Sequence, residues 1–136
     1  MGNSHIKWLI FFVTVVGNFI AMLDSSSVNV ALYEISQSLN VKMTDIQWVV
    51  SGYMLTLTVL LPLFGKLGDI YSRNKLYSCG FLIFALGALL SFTAKDLHSL
   101  IFYRCIEASG ASILLANASA IIASIFKNAK RGKALG

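Results

Sequence analysis

The sequence predicts an all-α membrane protein with four spanning helices. Three observations carry that prediction. Hydrophobic residues make up 57% of the chain and charged residues only 12%, four apolar runs are long enough to cross a bilayer, and lysine and arginine gather between those runs. A soluble domain of this length needs about 25% charged residues to wet its surface. With half that fraction and a mean hydropathy of +0.74, most of this chain has lipid as its solvent. The net charge of +5 is spread between runs instead of forming one patch, which argues against a nucleic-acid partner and for a topology signal. The two cysteines show no CxxC and no paired spacing, so neither a disulfide framework nor a metal site is indicated.

A helix needs about 20 mostly apolar residues to cross roughly 30 Å of hydrocarbon. The runs that qualify cover about residues 8–32, 46–64, 76–93 and 99–126, leaving no separate soluble domain. Strands are excluded because a lone strand leaves its backbone groups unsatisfied in lipid, and the runs lack two-residue alternation. A signal peptide is the other reading of the first run, but its core is long, carries Asp24 and lacks a small-residue cleavage site. At the start of the second helix, Thr44 and Gln47 have capping-box spacing, and Met43 with Trp48 has the spacing of a hydrophobic staple. Trp48 is expected at one membrane interface, with Trp8 and Tyr77 at the other.

Lysine and arginine set the orientation. Lys7, Lys66, Arg73, Lys75, Lys127, Lys130, Arg131 and Lys133 fall on one side, against Lys42 and Lys95 on the other. The positive-inside rule then puts both termini in the cytoplasm.

Asp24 and Arg104 lie inside apolar runs, where a charge costs about 2.5–3.5 kcal/mol at a helix centre and normally faces a partner or water. Counted from the same membrane side at 1.5 Å per residue, Asp24 is about 12 Å deep and Arg104 about 7 Å. A salt bridge or a bridging water can join groups at those depths. Glu107, three residues beyond Arg104 on the same helix face, competes for it. Two readings therefore stand: Arg104 and Glu107 merely neutralise each other, or a charged cluster lines a polar pathway. Asn18, Ser25, Ser26, Ser27 and Asn29 widen the polar arc around Asp24, so helix one is expected to face a cavity or to be packed on several sides. Gly87, Ser91, Ala108, Gly110, Ala111, Ser112 and Asn117 are read as packing residues that let helices approach closely. Cys79 and Cys105 sit near opposite ends of neighbouring helices, more than about 10 Å apart along the axis, too far for a disulfide.

After the second run the sequence becomes specific. Gly65-Lys66-Leu67-Gly68-Asp69-Ile70-Tyr71-Ser72-Arg73-Asn74-Lys75 resembles the major facilitator superfamily signature G-x-L-a-D-r-x-G-r-k-x of the loop between helices two and three. Ile70, Ser72 and Asn74 depart from it. Leu23-Asp24-Ser25-Ser26-Ser27-Val28-Asn29-Val30-Ala31-Leu32 is similar to the helix-one motif of that superfamily's fourteen-helix drug:proton antiporter branch, with Tyr33 in place of proline. Residues 47–55 resemble the same branch's start of helix two. Residues 104–111 resemble its helix-four motif R-x-x-Q-G-x-G-a, with Glu107 for glutamine and Ala108 for glycine, and residues 131–136 resemble the loop entering helix five.

The resemblance implies a fold made of the first four helices of an N-terminal transporter bundle. It also implies export of drug-like or cationic amphipathic compounds by alternating access, driven by a proton gradient and needing no bound cofactor. Asp24, Arg104, Glu107 and Asn29 are then the candidates for a proton and substrate pathway. Gly65, Asp69 and Arg73 are candidates for a conformational latch, the glycines permitting a tight turn. Inverted three-helix repeats in such transporters make helices one and four equivalent, and these two carry the buried charge. The expected partners are the bilayer of the cell membrane, a small-molecule substrate and a C-terminal half that this chain lacks. Because the family needs twelve or fourteen helices, the chain is expected to be a fragment that is inactive alone. The alternatives are a small four-helix multidrug exporter acting as a dimer and a non-transporting membrane subunit. An enzyme is disfavoured, since no serine elbow, His/Cys cluster or phosphate-binding glycine loop occurs.

Overall fold

The computed structural model describes residues 2–125 and contains four helices: α1 (Gly2–Ser38), α2 (Met43–Ile70), α3 (Arg73–Ser91) and α4 (Leu97–Ile125). All four are long and apolar enough to cross a membrane. The basic cluster Lys127, Lys130, Arg131 and Lys133, the end of helix four at Phe126 and the motif at 131–136 lie outside the described residues.

The helices are longer than the apolar runs at most ends. Hydropathy counting stops where polar residues begin, but a helix continues past the hydrocarbon wherever propensity and a cap allow. At 1.5 Å per residue α1 is about 55 Å long, so it outreaches the membrane. Its end is set by Asn40, whose positive φ of 53° gives the left-handed residue of a Schellman motif. The Val41 N–H bonds the Ser36 carbonyl at 3.0 Å and the Asn40 N–H bonds that of Gln37 at 3.2 Å.

Three expectations about α2 are corrected. The capping box at Thr44 and Gln47 does not form: α2 begins at Met43, Lys42 before it is extended, and no side chain caps it. Val41 and Ile46 occupy the staple positions in place of Met43 and Trp48, within one apolar cluster with Leu100. Burying Val41 and Ile46 together fixes the start of the helix. At the other end, Gly65 and Asp69 are helical, not part of a loop. The reversal into α3 needs only Tyr71 and Ser72, both extended, and no glycine is required there.

Successive helices run antiparallel, with α4 at the centre in contact with the other three. Its buried residues occupy much of its circumference, whereas α2 and α3 each bury one stripe: Ile46, Val49, Tyr53 and Gly68 on α2, and Tyr77, Gly80, Phe84 and Gly87 on α3. Glycine makes the α3–α4 crossing possible. A Cβ on Gly87 would lie 2.5 Å from the Glu107 backbone nitrogen, and one on Gly110 would collide with the backbone of Phe84. Across α4, Gly68 leaves room for the Asn117 amide, which donates to the Ile113 carbonyl at 2.9 Å. Gly110 therefore serves α3 while Asn117 serves α2.

Tyr77 is 5% exposed and its hydroxyl donates to the Thr14 carbonyl of α1 at 2.9 Å. Gly17 leaves the space that this hydroxyl occupies. Both cysteines are free thiols.

Candidate functional site

α1 buries one stripe, running through Thr14, Gly17, Ala21, Asp24 and Val28 at helical spacing, which meets Tyr77 of α3 at Thr14 and Gly17 and Arg104 of α4 at Asp24. α4 answers with Arg104, Glu107, Ala108 and Ala111, each buried. The two stripes meet at their charged members. Arg104 Nη1 donates to Asp24 Oδ2 at 2.7 Å and to Glu107 Oε2 at 2.7 Å. The first bond joins residues eighty positions apart and ties α4 to α1; the second is a one-turn contact within α4. Glu107 does not displace Asp24, because one guanidinium nitrogen serves both acids.

α2 completes the cluster. The Tyr53 ring lies 4.4 Å from the Arg104 guanidinium carbon, a cation–π contact that stabilises a desolvated cation by about 1–2 kcal/mol. Sequence reading did not single out Tyr53, although its spacing from Ile46 and Val49 marked it as a member of the buried stripe. α3 contributes backbone: Gly87 packs directly on Glu107.

The arginine side chain is 5% exposed, that of Glu107 0% and that of Asp24 25%. Three ionisable groups are thus withdrawn from solvent to different extents, with Asp24 the most open. Arg104 Nε and Glu107 Oε1 are buried without a hydrogen-bond partner. A cavity of about 400 Å³ opens beside the cluster, lined by Asp24, Arg104 and Glu107 together with Val28, Val49, Ala88, Ser91, Phe92 and Leu100. Its size lies within the range of about 300–1,000 Å³ typical of small-molecule pockets, and its make-up of apolar walls with a few convergent polar groups is also typical.

Other candidates are placed elsewhere. Asn29 is exposed and its amide donates to the Ser25 carbonyl at 3.1 Å, so it is not brought to the cluster. Ser27 is likewise bonded to its own helix, at Leu23. The polar arc of α1 therefore divides, with Asp24 turned to the cavity and Ser26, Ser27 and Asn29 turned outward. At the far end, Asp69 and Arg73 form an ion pair across the α2–α3 turn. Gly65 has open space around it and takes no part in that contact.

Residues 14–136 match the Major Facilitator Superfamily. The chain belongs to this family. Its relatives include the riboflavin transporter RibZ of Clostridioides difficile, 40% identical over 130 residues that cover 96% of this chain and 28% of the relative. The puromycin resistance protein pur8 of Streptomyces alboniger is 32% identical over 136 residues, covering 99% of this chain and 27% of that protein. Multidrug resistance protein 3 of Bacillus subtilis is 32% identical over 120 residues, 88% of this chain and 23% of that protein. The chain spans about a quarter of the length of these relatives. As a member of the major facilitator superfamily it is a multi-pass membrane protein, and the cluster of α1, α2 and α4 lies within its spans.

Proposed function

We propose that this major facilitator chain supplies the front four helices of a proton-coupled secondary transporter of the fourteen-helix drug-exporting branch. Both termini face the cytoplasm of the cell, and the substrate is an amphipathic, drug-like or cationic compound. The observation that carries the reading is the Arg104–Asp24 bridge from α4 to α1 on the wall of a cavity. A charge pair inside a membrane costs free energy that a lipid-facing helix has no reason to spend, and such residues characteristically mark ion and substrate pathways. The relatives named for riboflavin transport and for puromycin and multidrug resistance support a mid-sized organic substrate.

In this reading Asp24, Arg104 and Glu107 form the coupling site. The Asp69–Arg73 pair braces the α2–α3 turn as the two halves of the transporter rock about the site, as expected of inverted-repeat transporters. A chimera tests it, with residues 14–136 replacing the matching segment of the Clostridioides difficile riboflavin transporter in membrane vesicles. Transport that a protonophore collapses, and that Asp24→Asn lowers at least tenfold, is the expected result. Gradient-driven transport unchanged by Asp24→Asn refutes the assignment.

A further inference from the structure

Two carboxylates and one guanidinium meet beside the cavity, so the cluster is neutral only when the two acids together hold one proton. We propose that this proton is seated on Glu107, which is neutral while Asp24 is the ionised partner of Arg104. Glu107 is fully buried, and it accepts a single bond through Oε2 while Oε1 has no partner. An ionised carboxylate has about four acceptor sites to fill, and a buried anion left mostly unfilled is far more costly than the neutral acid. Asp24 lines the cavity with a quarter of its side chain uncovered, where entering water can reach it, so it bears a charge at lower cost.

The surroundings offer no second cation among the described residues. α1 presents Asp24, α2 presents the Tyr53 phenol, α4 presents Arg104 itself, and α3 presents the Gly87 backbone and the Ser91 hydroxyl, already bonded to the Gly87 carbonyl. The shared nitrogen makes the proton mobile without stranding the arginine. When the O–H bond on Glu107 breaks and one forms on Asp24, by way of water entering the cavity they both line, the guanidinium simply changes its ionised partner. No net charge is created in the membrane. Glutamate also stands here where the resembled helix-four motif has glutamine, a residue that cannot hold this proton.

This deepens the transport reading by naming where the proton sits, yet it is measured without any transport. The chain has two glutamates, Glu34 and Glu107, and Glu34 is exposed. The full chain is labelled with 13C at the glutamate side-chain carboxyl, inserted in lipid nanodiscs and examined by 13C NMR at neutral pH. Glu34→Gln, a change at an exposed position, leaves Glu107 as the lone glutamate and assigns the signal. The expected result is a carboxylate shift for Glu34 and an acid shift for Glu107. Asp24→Asn should convert Glu107 to the carboxylate, since it then becomes the remaining anion for Arg104. A carboxylate shift at Glu107 in the unaltered chain overturns the proposal, and so does an acid shift that Asp24→Asn leaves unchanged. Loss of coupled transport in the chimera with the acid shift intact refutes the transport reading alone.

Discussion

The sharing of one arginine nitrogen by two acids makes the cluster strongly non-additive. Asp24→Asn leaves Arg104 bonded to Glu107 at 2.7 Å, and Glu107→Gln leaves it bonded to Asp24 at the same distance. Each single change removes one charge-assisted contact but preserves an anion, and an amide still accepts a hydrogen bond. Interhelical polar contacts in membrane proteins average about 0.6 kcal/mol and pairs one turn apart within a helix contribute about 0.2–0.5 kcal/mol, so Asp24→Asn should lose about 0.6 kcal/mol and Glu107→Gln about 0.5 kcal/mol or less. The double variant is different in kind, because it strands a guanidinium whose side chain is 5% exposed. Leaving one buried member of an ion pair uncompensated costs about 3–5 kcal/mol, of which the Tyr53 ring returns about 1 kcal/mol.

The double variant should therefore exceed the sum of the singles by at least about 1 kcal/mol, beyond the ~0.5 kcal/mol within which independent sites add. Unfolding of the full chain from mild-detergent micelles by added SDS, followed by far-ultraviolet circular dichroism, measures all four states of the cycle. Additivity within ~0.5 kcal/mol would refute the shared-partner account and leave Arg104 and Glu107 as a local neutralising pair.

The same titration checks four further expectations. Gly110→Val places a branched side chain against the Phe84 backbone and should destabilise the α3–α4 crossing by about 1–3 kcal/mol, while Gly65→Ala, in open space within α2, should gain roughly 0.5–1 kcal/mol. Tyr77→Phe deletes the bond to the Thr14 carbonyl and should cost about 1 kcal/mol. Asp96 caps α4, accepting the Ser99 N–H at 2.8 Å, and that backbone bond holds its carboxyl below the usual aspartate value. A depressed value stabilises the fold above the unfolded-state value, so stability should fall as pH drops through the Asp96 folded-state value. Asp96→Asn, which keeps a capping oxygen, should remove that component from a pH series.

How far this structure was legible in the sequence depends on which physical constraint each inference used. Four spans follow from composition, because water cannot wet these runs. Comparing depths allowed an Asp24–Arg104 bridge, beside a bridging water or an Arg104–Glu107 pair, although it rested on a wrong helix boundary. With α1 ending at Ser38, Asp24 lies about 21 Å from its end, against about 10 Å for Arg104 from the start of α4, yet the two are bonded. The α1 end simply reaches beyond the start of α4, so chain ends are poor rulers where helices outlast the bilayer. Charge is the better ruler: a buried arginine needs an anion, and Asp24 and Glu107 were the acids within its reach.

The misreadings share a cause. Glycines at 65 and 68 read as turn residues, the sense they carry in water, but among packed spans a glycine also lets another helix come close, as Gly68 does for Asn117. Residue type alone does not say which face Tyr77 takes, whereas its spacing with Gly80, Phe84 and Gly87 traces one helical stripe, the stripe that packs on α4. Tyr53 is legible in the same way, since 46, 49 and 53 repeat that spacing. In a bundle whose lipid-facing and protein-facing residues are equally apolar, hydrophobicity does not separate the two faces. Small residues and polar tips do, since Gly87 admits Glu107, and the Tyr53 ring meets the Arg104 guanidinium held between the helices.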